Sequence, residues 1–397
     1  MDTSYAVFCG IDVGKSEHHA VGIDAAGTRL YDKALPNNEN RLRAVFDQLA
    51  AHGRVLIVVD QPNTIGALPI TVARACGHQV AYLPGLSMRR IADLYPGNAK
   101  TDARDAFIIA DTARTMPHTL RRVDTGDDAL AELGVLVGFD DDLAGEATRI
   151  SNRIRGLLTS IHPALERVLG PHITHPAVLE ILSRCGGPTG MRTAGTRKLT
   201  AIATKHAPRM GARLTADIRT ALEAQTVIVP GTAAAEIVLP KLADSLKETL
   251  QQRKSIGDDV ERMLDDHPLS QVLTSVPGIG VRTGARILLE VGDGSAFASA
   301  GHLAAYAGIA PVTRRSGTSI RGEHPARTGN RKLKRALFLS AFAALHDPTS
   351  RAYYDRKRAE GKKHNAALIC LTRRRCDVLY AMLKNHEPYR SPAAVAA

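Results

Sequence analysis

A chain of 397 residues, 44% hydrophobic and 23% charged, can bury a sizeable core and has room for two or three domains. Its formal net charge of +12 favours a polyanionic partner, while 4% aromatics and no Trp leave few stacking platforms for unpaired bases. No apolar run reaches the roughly 18 residues of a membrane helix. The acid-bearing N-terminus lacks a signal-peptide pattern, and five scattered cysteines without a C-x-x-C (Cys9, Cys76, Cys185, Cys370, Cys376) read as reduced thiols of a cytoplasmic protein.

In chain order, Tyr5–Asp12 is a short apolar run ending in an acid. His19–Asp24 and Arg29–Leu35 alternate around a turn at Gly27, which predicts a hairpin. Glu39–Ala51 has helical spacing, and Val55–Asp60 is a continuous apolar run typical of a buried strand. Thr64–Cys76 reads as a helix, Gln79–Leu83 as a strand and Thr101–Thr115 as a helix. Three strands followed by alternating helix and strand is the order of a ribonuclease-H-like sheet, assigned to residues 1–126.

Residues 127–265 change character. Leu143, Ala147, Ile150, Ile154, Leu157 and Ile161 step by fours and threes, a heptad-like seam on a long helix. A second seam runs through Leu242, Leu246, Ile256, Val260 and Met263, with Pro240 expected to start or kink its helix. The seams fit either packing within one chain or a coiled-coil arm for dimerisation. The Gly-, Pro-, Thr- and Arg-rich stretch at about 170–230 reads as irregular with short helices.

Residues 266–397 read as a third, mainly helical unit, making the whole α/β + α. Val276–Glu290 holds Pro-Gly-Ile-Gly before an apolar helix, like half of a helix-hairpin-helix. Gly278 and Gly280 would let backbone N–H groups approach a phosphate, although a tight turn between packed helices has the same pattern. Asn330–His346 is amphipathic, with Arg331, Lys332, Lys334 and Arg335 in its first turns, and Lys363–Asn385 carries Arg373, Arg374 and Arg375. Residues 311–390 hold 19 Lys and Arg against six Asp and Glu, an excess of 13 that accounts for the whole net charge. A basic surface contacting phosphates is expected there.

Four carboxylates stand out. Asp12 and Asp60 end two strands, and Asp102 and Asp105 share one face at a helix start. Acids at strand ends that abut a helix face can converge on a hard divalent cation, Mg²⁺ or Mn²⁺. Acids also suit any first helical turn, so the set carries the weight and no member does alone. Gly10–Ser16 imitates a phosphate-binding loop but is one residue short, with Asp12 placing a negative charge in the cradle. An actin-like kinase would need a second Gly-rich half, which is absent. Ser316 lies in Arg314-Arg315-Ser316-Gly317; Arg314, Arg315 and Arg321 could hold a phosphate. Ser-Gly in a polar loop is by itself usually a turn, and Thr318 and Ser319 share that loop. Tyr353 and Tyr354 are expected to pack, and no histidine has zinc-site spacing.

Several stretches together resemble one family. They are GIDVGKSEHHAVGID (10–24), VVDQPNTIG (58–66), KTDARDAFIIAD (100–111), PGIGVRTGARILLEVGD (277–293), LAAYAGIAP (303–311), RRSGTSIRG (314–322) and GNRKLKRALFLSA (329–341). In order and in content the chain resembles the DEDD transposases of bacterial insertion sequences, which include bridge-RNA-guided recombinases and pilin-gene invertases. The resemblance implies a RuvC-like N-terminal domain, a coiled-coil arm and a C-terminal transposase domain. It implies metal ligands at Asp12, Asp60, Asp102 and Asp105 and a serine nucleophile at Ser316. It further implies DNA partners at element ends and target, an element-encoded guide RNA, and a nucleoid-associated dimer or tetramer. Many members carry Glu where Asp60 stands, one methylene longer. The alternatives are a metal-dependent, junction-resolving nuclease and a non-catalytic nucleic-acid-binding protein.

Overall fold

The computed structural model describes residues 5–62, 64–96, 101–123, 128–316 and 320–391. The chain divides into two compact units, Met1–Asp127 and Asp128–Ala397. The first unit runs β1 (Val7–Asp12), β2 (Glu17–Asp24), β3 (Arg29–Pro36), α1 (Glu39–Ala50), β4 (Val55–Val59), α2 (Ala67–Ala75), β5 (Gln79–Tyr82), α3 (Gly85–Ala92), α4 (Asp102–Thr115) and β6 (Arg121–Arg122). The sheet order is β3-β2-β1-β4-β5-β6. β1 pairs antiparallel with β2 and parallel with β4, and β4 pairs parallel with β5.

Both sheet faces are covered, which is why β4 is apolar throughout. Cys9, Ile11, Ile57 and Val59 pack toward Leu42, Phe46 and Leu49 of α1 and Ile70 of α2. Leu56, Val58 and Ala81 pack on the other face toward Ile108, Ile109 and Ala113 of α4. Asn38 starts α1 by accepting the Arg41 N–H at 3.3 Å, and Thr101 starts α4 by accepting the Arg104 N–H at 3.3 Å. The strands and helices expected for this unit form with ends shifted by a few residues. The sequence reading did not name α3 and β6.

The second unit is helical apart from one hairpin. It runs α5 (Asp128–Ile161), α6 (Pro163–Leu169), α7 (Pro176–Cys185), α8 (Pro188–His206), α9 (Gly211–Glu223), α10 (Thr232–Asp265), α11 (Ser270–Thr274), α12 (Val281–Val291), α13 (Ala300–Tyr306), β7 (Val312–Ser316), β8 (Ile320–His324), α14 (Arg331–Ala343), α15 (Pro348–Ala359) and α16 (His364–Asn385). α5 and α10 form an antiparallel pair within the chain. The early turns of α5 (Leu133, Val137) share a core with the late turns of α10 (Val260, Leu264). The later turns of α5 meet Ala235, Leu239, Ala243 and Leu246.

Three expectations need correcting. Leu158, not Leu157, is the fully buried residue of the first seam, because a straight helix has a 3.6-residue period that drifts from the heptad. Pro240 lies inside α10, so of the two placements expected for it the helix start is excluded. The stretch about 170–230 holds the short helices expected, but they are α7, α8 and α9 in close succession rather than pieces within irregular chain. Its prolines occupy first-turn positions of α7 and α8, where their missing N–H costs no helical bond, and Gly195 marks a kink inside α8 with φ +67°.

Candidate active site

Backbone topology gathers the four carboxylates at one end of the sheet. Ile11 is registered on Val59 in the parallel β1–β4 pair, so Asp12 and Asp60 follow on adjacent strands. By strand alternation both lie on the face that α4 covers. α4 rests directly on β1 at Gly10, where a Cβ would stand 2.3 Å from the Ala106 carbonyl oxygen and 2.4 Å from the Ala110 nitrogen. The other end of α4, at Arg114, lies beside Gly27 in the turn after β2, next to the start of β1. The helix therefore runs antiparallel to β1, and its first turn, with Asp102 and Asp105, meets the strand ends carrying Asp12 and Asp60.

The carboxylates feel one another. Burial pushes the Asp60 carboxyl above its ordinary range; the Val13 N–H, donating to Oδ1 at 3.3 Å, pulls it back, and the charge of Asp105 adds to the rise. The next amide, Gly14 N–H, donates to His18 Nδ1 at 3.1 Å. Two consecutive amides thus pin the turn after Asp12. His18 is only 2% exposed, and burial lowers its pKa, which keeps the ring a neutral acceptor. His18 has no zinc-site spacing in the sequence, which assigns it no role. Its signal as a structural residue is its position on the core face of β2.

Four carboxylates supply only oxygen, the donor chemistry of Mg²⁺ or Mn²⁺. The partly buried, like-charged Asp60 and Asp105 are a place where a cation would relieve repulsion. The set is nevertheless open: among the described residues no three His, Cys, Asp or Glu side chains are grouped tightly enough to hold a metal ion. Such openness suits a cation that keeps waters and substrate phosphates in its shell. Asp111 of the same motif has a different task, bonding Tyr95 Oη at 2.6 Å and Arg114.

The second unit holds the serine hairpin. Ser316 is the last residue of β7, registered on Ile320, and Arg315 is registered on Arg321. Thr318 and Ser319 lie outside the described residues. Motif residues clasp the base of this hairpin. Gly308 and Gly329 have φ of +68° and +113°, and a Cβ on Gly329 would stand 2.6 Å from the Gly308 nitrogen. Asn330 caps α14 by accepting the Leu333 N–H at 3.0 Å, and its amide donates to Glu290 and Tyr306 Oη.

Lys334, expected on the nucleic-acid surface, instead donates to the Gly308 and Ala326 carbonyls at 2.9 and 3.3 Å. Gly278 is likewise a packing glycine: a Cβ there would stand 2.5 Å from the Ser340 carbonyl oxygen. Gly280 faces open space at the start of α12. Arg331, Lys332 and Arg335 line a cavity of about 430 Å³ with Arg253, Arg282 and Arg286. The nearly buried Asp140 holds Arg253 and Arg282 at 3.0 and 3.2 Å, a pairing between α5, α10 and α12 that composition could not reveal. Tyr354 packs and bonds His364 at 2.7 Å. Among the described residues no helix is long and apolar enough to cross a membrane.

A transposase family model for the DEDD group of IS110 matches residues 9–163, and the model described as Transposase IS116/IS110/IS902 family matches residues 270–355. The 43.6 kDa protein of insertion element IS110 from Streptomyces coelicolor is 60% identical over 98% of this chain and 97% of its own length. The chain belongs to this transposase family. The 42 kDa protein of insertion element IS900 from Mycobacterium paratuberculosis is 37% identical over 98% of this chain and 99% of its own. A pilin gene-inverting protein of Moraxella bovis is 33% identical over 30% of this transposase and 38% of its own length. All four carboxylates fall within the first match, and Ser316 with its clasp falls within the second.

Proposed function

We propose that this transposase cuts and rejoins DNA at the ends of its element and at a target by a phosphoserine route. Asp12, Asp60, Asp102 and Asp105 would hold Mg²⁺ or Mn²⁺, which would supply charge neutralisation for phosphoryl transfer. The Ser316 hydroxyl oxygen attacks phosphorus and gives up its proton. The bond from phosphorus to the leaving strand oxygen breaks, and that oxygen takes a proton to leave as a free hydroxyl. A hydroxyl of the new partner strand then attacks the phosphoserine, and the serine oxygen departs and is reprotonated. Arg314, Arg315 and Arg321 stabilise the charge that develops in both steps.

The observation that carries this reading is the gathering of Asp12, Asp60, Asp102 and Asp105 at one sheet end. The match to a pilin gene-inverting protein supports strand rejoining rather than cutting alone. An element-encoded RNA chooses both DNAs by base pairing, a reading that rests on the family resemblance and on the basic excess of residues 311–390. Strand exchange requires several sites, so the enzyme acts as a dimer or tetramer. The exposed Val135 and Phe139 on α5 and Ile237 on α10 suit α5 and α10 as its arm. The test is recombination of an element-end duplex with a target duplex, with and without chelator and with and without RNA transcribed from the element's flanks. Recombination requiring both Mg²⁺ and RNA is expected. Full activity in chelator would remove the acidic centre, and full activity without RNA would remove the guide.

A further inference from the structure

Arg375 is a cation held inside the second unit, and among the described residues no carboxylate is bonded to it. Its Nη2 donates to the Pro277 carbonyl at 2.5 Å and to Ser340 Oγ at 2.8 Å, and its Nε is buried without a hydrogen-bond partner. Burial pulls the guanidinium below its ordinary pKa, opposed by coulombic interaction with Tyr389 and Asp347. The Asp347 carboxylate is engaged elsewhere, accepting the Ser350 N–H at 2.8 Å as the cap of α15. A charge removed from water ordinarily has a counter-charge in contact with it. Here a cavity of about 130 Å³ adjoins instead, between the turn after α11, the start of α15, α16 and the segment at Tyr389. Arg374, Arg375, Arg390, Thr349, Ser350 and Tyr389 line it, and among the described residues no carboxylate does. Arg390 meets Glu387 only at 3.8 Å. Three guanidinium groups beside hydroxyl donors, with no acid among them, are the donor set of an anion site.

We propose that this cavity receives one phosphate of a DNA duplex backbone, a reading that rests on the transposase function above. A duplex fits better than an unpaired strand. Tyr353, the other aromatic ring at the cavity, already carries Arg356, Lys357 and Arg374 at 4.9, 5.7 and 5.1 Å from its centroid, so a stacking base would compete with them. Its lining shares no residue with the serine hairpin, and its role is to hold the duplex.

The test is binding of a random-sequence DNA duplex to the full chain across a salt series, read by fluorescence anisotropy. Arg375 is left in place because it also ties α16 to Pro277. The double variant Arg374→Gln, Arg390→Gln should reduce the slope of log affinity against log salt by about 0.9, the value of one B-DNA phosphate, with the melting temperature unchanged, and each single variant should reduce it by no more than that because both residues grip one phosphate. An unaltered slope in the double variant would overturn the proposal. So would a loss twice as large, which would mean two separate contacts, or a loss seen with an RNA duplex and not with DNA. At saturating DNA the double variant should still form the Ser316 adduct, which keeps failure of this site distinct from failure of the phosphoserine route.

Discussion

The two units position chemistry by different means. In the first, the sheet does the work: adjacent parallel strands end in Asp12 and Asp60, and a helix laid antiparallel on Gly10 brings Asp102 and Asp105 to them. In the second, the proposed nucleophile Ser316 stands at the end of one strand of a two-stranded hairpin. The hairpin is held at its base by two abutting glycines, a cap and a lysine bonded to carbonyls. The acidic centre should therefore be sensitive to single charges and to the seating of one helix. The serine position should be sensitive to the clasp.

The largest effect expected is on the acids. Asp12→Asn or Asp102→Asn should lower strand cleavage by about a thousandfold or more, corresponding to roughly 4 kcal/mol of lost charge stabilisation. DNA binding should stay near normal because it rests on the basic unit. Cleavage and binding measured side by side check this, and a parallel loss of both would break the division of labour.

Next comes the helix seat. Gly10→Ala forces a Cβ into the backbone of α4 and should destabilise the first unit by about 1–3 kcal/mol. Thermal melting and cleavage should fall together. Asn330→Ala removes the α14 cap and two further bonds, at a cost of about 1 kcal/mol or somewhat more. It should slow reaction at Ser316 while leaving any metal-induced rise in melting temperature intact, which sharpens the contrast between clasp and sheet.

The smallest effect concerns Asp60. Its folded pKa is raised, so its contribution to stability is fully present below the ordinary carboxylate value and is lost as pH rises through the folded value. Asp60→Asn should therefore slightly raise the melting temperature of metal-free protein at neutral pH. The gain should vanish in acid, where the wild-type group is already protonated. The same variant should lose the stabilisation that Mg²⁺ gives, and Asp60→Glu should keep more activity than Asp60→Ala.

Much of the first unit was legible because its strands alternate or run apolar and its helices carry Asn38 and Thr101 as caps. The acids were legible because they stand at the ends of those elements. What escaped was anything decided by close approach across the chain. Gly10 is one position of an apolar run, and Gly278 reads as a phosphate-approach or turn glycine, until the backbone each one touches is known. Lys334 reads as a phosphate contact until the Gly308 carbonyl is placed against it. The stretch about 170–230 was misread because Pro and Gly were taken as breakers, whereas here they mark helix first turns and a kink. Asp140 joins residues more than a hundred positions apart in sequence, which no local pattern reports.

The central claim is that phosphorus passes through Ser316. Its most direct measurement uses a DNA substrate nicked so that the cut strand cannot be rejoined, followed by denaturing gel analysis and peptide mapping. The account predicts DNA covalently attached to the peptide containing Ser316, formed only with Mg²⁺ or Mn²⁺, and lost in Ser316→Ala together with recombination. Efficient cutting with free ends, no trapped adduct, and a Ser316→Ala protein that cuts as well as wild type would contradict it and leave a water-using nuclease in its place.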